Sequence, residues 1–278
     1  MDTYKHLMEK QIVSAETTAK FYEALEKPDK KRKSFRWKAA LIAACVALMI
    51  PLTVFAASNI ISQPKVKIGA TEHFPNRIGY ILRFDNMQSF PLSTFSKNVQ
   101  GITEYKQSYL NSWAAAEKTL GIDLMHNTIL EDDNTAKGRI VNPDGHSAHC
   151  VISYCTSDEQ LYYVQVDATY IVKSKHTFSV KAKIAVEHPN LTADETQILH
   201  GITIGYPDNT TISYEEHTTK EGIPVAMLTT QGDSNYIHGI ASFAVNNIAY
   251  EIHFTSTLNE QAVEQALLLE ILDAFVLE

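Results

Sequence analysis

The sequence predicts an α+β architecture, and three observations predict it. An apolar run follows a block of lysine and arginine, a long stretch from Ile140 onward alternates apolar and polar residues, and an apolar stripe at helical spacing closes the chain. These divide the 278 residues into a cytoplasmic helical arm (1–36), a transmembrane helix (37–61) and an extracytoplasmic domain (62–278). In that domain an antiparallel sheet is expected to be covered by helices, the C-terminal one among them. A sub-boundary near 131–145 and one continuous domain are both open to this reading.

In the arm, Ser14 is placed to cap a helix over 15–27, with Glu16 and Thr17 in its first turn and Pro28 at its end. Phe21, Ala24 and Leu25 share one side of it. That stripe is too small for a core, so it should pack on the Leu7/Met8/Ile12 segment, a membrane surface or another protein. Phe21, Tyr22 and Leu25 are the candidate partner-binding residues.

After Lys38 no charged residue occurs until Lys65. About 20 apolar residues at about 1.5 Å rise span the roughly 30 Å of hydrocarbon, so 39–57 with Ile60 and Ile61 suffice, and Pro51 reads as a kink. Lys30, Lys31, Arg32, Lys33, Arg36 and Lys38 stand before the run against the single acid Asp29, which places the N-terminus in the cytoplasm and the large domain outside the cell membrane. The expected topology is a single-pass signal anchor with the lipid bilayer as a partner. Two rivals are a buried core helix and a cleaved signal peptide. The second draws on Val54, Phe55 and Ala56 ahead of Ala57, and the long helical arm in front speaks against it.

Charge sharpens the division. Up to Lys38 there are ten Lys or Arg against six Asp or Glu, while the remainder has 14 against 26. An acidic domain with no basic cluster makes nucleic acid an unsuitable partner. Of three cysteines, Cys45 falls inside the apolar run, and Cys150 and Cys155 sit five apart in an extended segment. They then face opposite sides, out of disulfide reach unless Ser153 turns the chain back.

Beyond the span, 58–69 reads as a polar tether whose KVKI opens the domain, residues 76–84 as a strand, and FPLSTFS as a loop. Ser112 is the N-cap of a short helix that Gly121 stops, with Trp113, Ala116 and Leu120 on one face pinned to a sheet. Strands are expected at 149–155, 160–172, 177–187, 200–206, 211–214, 223–230, 237–245 and 248–255. With Asn246-Asn247 as a two-residue turn, Val245 meets Ile248, Phe243 meets Tyr250 and Ala241 meets Ile252 on an oily face. Ala244 with Ala249, Ser242 with Glu251 and Ile240 with His253 make a mixed face, so cover on one side only is expected. The cover is the helix after Asn259, whose Val263, Leu267, Leu268, Ile271, Leu272 and Phe275 oppose Glu264, Gln265 and Asp273.

Chemistry-bearing clusters are sparse. His146, His149 and Cys150 are weak candidates for a metal site, because the Pro143-Asp144-Gly145 turn leads into a strand where the two histidines diverge. Glu131, Asp132, Asp133 and Asn134 lack the alternating spacing of a calcium loop. Glu251 and His253 share a strand face as acid–base partners do, and so do many exposed strand pairs. No H-E-x-x-H, G-x-S-x-G, glycine-rich phosphate loop or paired C-x-x-C occurs. The chain therefore reads as no enzyme, with no cofactor.

The segments IVSAETTAKFYEAL, SWAAAEKTLGIDL, ASFAVNNIAYEIHF and the closing EILDAF, with the basic block and apolar run between them, resemble single-pass membrane proteins of Firmicutes, Gram-positive bacteria. Those carry an extracytoplasmic domain of unknown function and are often labelled anti-sigma factors. The resemblance implies an envelope sensor or regulator whose arm binds a cytosolic sigma factor or other regulator. It departs from the zinc-binding form of that family, since the arm has His6 but no cysteine. The alternative is an anchored outer module that binds peptide, glycan or wall material, with an inert arm.

Overall fold

The computed structural model describes residues 60–276, apart from 72–73, 133–135, 139, 142, 144 and 146. Phe21, Tyr22, Leu25, Cys45, Asp144 and His146 thus lie outside the described residues, as does the expected span up to residue 59. Its last two positions are described and are not helical: Ile60 is irregular and Ile61 opens a strand. Among the described residues no helix is long and apolar enough to cross a membrane. The expected single-pass membrane localisation and bilayer anchor are corrected accordingly.

The fold class is corrected as well. Among the described residues 52% are in strands and 17% in helices, so the architecture is mostly β. The first strands are β1 (Ile61–Ser62), β2 (Pro64–Thr71), β3 (Phe74–Phe84), β4 (Lys106–Leu110), β5 (His126–Asn127), β6 (Ala136–Gly138), β7 (Ile140–Val141) and β8 (Ser147–Ala148). There follow β9 (Cys150–Ser157), β10 (Gln160–Val172), β11 (His176–Ala185), β12 (Ile202–Tyr206), β13 (Thr211–Thr218) and β14 (Pro224–Gln231). The last are β15 (Tyr236–Val245), β16 (Ile248–Thr257) and β17 (Phe275–Val276). The helices are α1 (Lys97–Gln100), α2 (Trp113–Leu120), α3 (Ala193–His200) and α4 (Gln261–Leu272).

A large antiparallel sheet runs β13-β14-β15-β16-β11-β10-β9-β4, with β1 added to β15 and β6 to β10. Its tight turns follow from residues that tolerate left-handed backbone: Asp158 and Glu159 between β9 and β10, Asn246 and Asn247 between β15 and β16, all with φ between 50° and 63°. The β15–β16 register is the one the sequence predicts, from Val245 opposite Ile248 to Ile240 opposite His253. Gly239 lets the Phe254 ring cross the ladder, because a Cβ there would overlap it.

One face of this sheet carries the main core. Trp113, Ala116 and Leu120 of α2 and Leu267, Leu268, Ile271 and Leu272 of α4 are buried against it. Phe243, Tyr250 and Phe275 form a ring cluster with centroids 5.1 to 6.2 Å apart, each contact adding about 0.5–1.5 kcal/mol beyond the buried area. α2 begins and ends as predicted: the Ser112 side chain accepts the Ala115 amide, and Gly121 closes it at φ 74°. α4 covers the sheet, with two departures: Val263 is 54% exposed, and Glu264, expected outside, is buried beside His176.

The second face was expected to be open and is not. A three-stranded sheet, β12-β3-β2, lies over β14, β15 and β16 and packs Tyr80, Leu82 and Phe84 onto Ala226, Leu228, Ile240, Ala244 and Ala249. Alanines in the large sheet leave room for the tyrosine and leucine above them. The expected tether at 58–69 is part of this layer: Pro64 through Gly69 pair with β3. Residue 200 ends α3 rather than opening a strand, because Thr192 and Glu195 form a reciprocal capping box that starts a helix there.

A candidate ligand cleft at the hairpin tip

A cavity of about 630 Å³ opens where α2, the chain after it and the β15–β16 turn meet. Ile122, Leu124, Met125, Val245 and Tyr250 make its floor, and Glu117, Lys118, Asp123, His126 and Asn246 stand around it.

Its wall is fixed by side chains that replace missing secondary structure. Glu117 Oε1 accepts the Leu124 amide at 2.7 Å, and its Oε2 lies 3.1 Å from His126 Nε2. The other ring nitrogen, Nδ1, is 2.9 Å from Glu131 Oε2, while Glu131 Oε1 accepts the Asn127 amide. His126 thus bridges the two carboxylates. The Met125 carbonyl accepts Trp113 Nε1–H, and the Met125 amide donates to Tyr250 Oη at 2.9 Å. Asn127 donates through Nδ2 to the Ile271 carbonyl and accepts the Ile129 and Leu130 amides. A loop tied at this many points holds its shape before any ligand arrives.

The other rim is the hairpin tip. Asn246 Oδ1 accepts the Ile60 amide at 2.9 Å, and the Asn246 amide donates to the Ile60 carbonyl at 2.7 Å. β1 then continues along β15, with Ile61 opposite Val245. Asn246 therefore belongs both to the cleft and to the clamp on the strand that leads into the domain. Its neighbour Asn247 accepts the Gln88 amide.

The residues singled out from the sequence fall in other places. His149 lines a hollow of about 230 Å³ with Trp113, Glu131, Gly138 and Tyr170, and Cys150 is buried on the opposite side of β9. The Cys150 thiol donates to the Ser112 carbonyl, and burial pushes it up to about 12, which suits an inert core thiol. Cys155 sits on the face opposite Cys150, and both are free. No group of three metal-ligating side chains assembles among the described residues.

Glu251 and His253 do meet, His253 Nε2 lying 2.8 Å from Glu251 Oε2, with Lys183 Nζ on Oε1. Burial, the largest influence, pushes the Glu251 carboxyl up, but His253 and the Lys183 ammonium together outweigh it and the net direction is down. This charged cluster lies beneath the second sheet and borders neither the cleft nor the hollows beside His149 and α4. It is built for structure: an interior carboxylate held by the Lys183 ammonium and the His253 ring.

The cleft itself has no signal in the sequence beyond Gly121, since Glu117, His126 and Asn246 come together only through folding. Its space and tied-down wall fit binding. No known family model, curated protein or solved structure matches this chain, and with none to carry it the anti-sigma description implied by the resemblance is withdrawn.

Proposed function

We propose that this chain is a sensor and regulator: the β domain takes a ligand in the hairpin-tip cleft, and the arm, through Phe21, Tyr22 and Leu25, binds a partner protein. The observation that carries the reading is the double role of Asn246, which borders the cleft and holds Ile60 through two hydrogen bonds. A ligand that competes for the Asn246 side chain loosens the lead-in strand; one that packs against it tightens the strand. Either way occupancy is felt at residue 60. The volume lies within the roughly 300–1,000 Å³ of small-molecule sites. An apolar floor with Glu117, Asp123 and Asn246 at the edge suits a ligand with an apolar body and a hydrogen-bonding or cationic head.

Two experiments test the two halves. Amide spectra of the chain titrated with amines and dipeptides of that kind should move Met125, His126 and Asn246 first; shifts confined to other surfaces refute the cleft. Co-purification with the arm as bait should capture a partner that Phe21→Asp and Leu25→Asp release. Equal capture by the variants, or deletion of residues 2–27 without phenotype, removes the regulatory half and leaves a binding module.

A further inference from the structure

The first turn of α2 has donors with nothing to receive them. Ser112 Oγ accepts the Ala115 amide and the Ser112 carbonyl accepts the Ala116 amide, but the amides of Trp113 and Ala114 reach no acceptor among the described residues, and no acidic side chain stands in that turn. Those two residues, with Asn111, Ser112, His149 and Tyr170, line the hollow of about 230 Å³ at the helix start. Unpaired N–H groups and the positive end of the helix dipole favour an anion there.

A second observation comes from the strands and is independent of the helix. Tyr170 is 5% exposed, yet its hydroxyl makes no hydrogen bond among the described residues, and the side chain borders the same hollow. Buried polar groups ordinarily have partners, so a donor left open onto a hollow marks a place for an acceptor. Burial, the largest influence, with Cys150 and Glu131 nearby, keeps the phenol protonated. Gly138 lies opposite Tyr170 in the ladder and, lacking a Cβ, makes room for the His149 ring, which also has no hydrogen bond among the described residues. That ring keeps at least one N–H in either tautomer.

From these donors we propose that the hollow binds the carboxylate of a small monocarboxylic acid. Its oxygens take the Trp113 and Ala114 amides and the Tyr170 hydroxyl, and its short tail lies toward Trp113 and Leu130. Glu131 borders the hollow too, with its oxygens engaged by the Asn127 amide and by His126. Its charge still opposes a second negative charge, so a monoanion is favoured over sulfate. The site is separate from the hairpin-tip cleft, although Ala114 borders both.

Amide spectra of the full chain titrated with sodium butyrate, with chloride holding the ionic strength constant, test this. Trp113, Ala114 and His149 should move along one saturating curve. Tyr170→Phe keeps the ring and should weaken binding about tenfold, as expected for one hydrogen bond to a charged group. His149→Gln, at a half-buried position, should also weaken it, and replaces the first variant as the test if that one melts early. Shifts that never saturate, butyrate affinity unchanged in both variants, or sulfate binding as tightly as butyrate overturns the proposal. So does movement of Met125 and Asn246 in place of Trp113 and His149, which would put butyrate in the hairpin-tip cleft.

Discussion

His200 shows what burial does to a single side chain here. It is fully buried at the end of α3, its Nε2 accepts the Ala185 amide, and burial, with Lys183 nearby, holds it down at about 4 from an ordinary 6.5. The folded ring is therefore neutral where the unfolded ring already takes a proton. Stability from this residue is fully present above pH 6.5 and is lost as the pH falls from there toward 4. Urea titrations at pH 7.5 and 4.5 should differ by about 2–3 kcal/mol more in the wild type than in His200→Gln. The Lys183–Glu251–His253 cluster makes a second residue-scale case. Lys183→Met leaves the Glu251 carboxylate interior with one partner fewer, and should cost about 3 kcal/mol, read from the urea midpoint at neutral pH. The sequence shows Glu251 and His253 on one strand face, and the structure brings them into contact. Lys183, sixty-odd residues earlier, joins them only because β11 pairs with β16.

At the scale of elements, local chemistry decides boundaries. Ser112 and Gly121 bracket α2, and two asparagines in left-handed conformation set the last hairpin, so both could be read directly. α3 went unread because its capping box begins with a threonine in a stretch of weak periodicity, and β4 because KQSYL is short and polar. Asn246→Ala tests the hairpin tip. It removes the acceptor for the Ile60 amide and puts an alanine in a left-handed turn, so it should destabilise by about 1–2 kcal/mol and deprotect Ile60 and Ser62 to hydrogen exchange before the rest of the sheet. Uniform deprotection would mean the clamp is not a local device. The cleft was illegible from the sequence, since its wall is a loop shaped by Glu117, His126 and Glu131, residues whose pairing no spacing rule announces.

For the whole molecule, the decisive fact is the second layer. β2, β3 and β12 come from two distant parts of the chain and stack on the alanine-lined face of the large sheet, so removing their central ring should weaken the sandwich as a unit. Tyr80→Ala is expected to cost about 3–5 kcal/mol by calorimetry or urea, with both sheets melting together. Ala249→Leu, which thickens the same interface from the opposite side, should cost about 1–3 kcal/mol through overpacking. A second transition in either variant would show the layers to be independent.

Alternation, turn residues and caps act within a few neighbours, and they alone determined most strands of the large sheet, the register of the final hairpin, α2 and α4. Which layer covers each face is decided by surfaces far apart in the chain, here more than 150 residues from β2 to β14, and a polar-looking PKVKIGAT strand covers alanines as well as a helix would. Helix and sheet satisfy the same demand to exclude water, so the choice between them, and with it the cleft, was settled only when the chain folded.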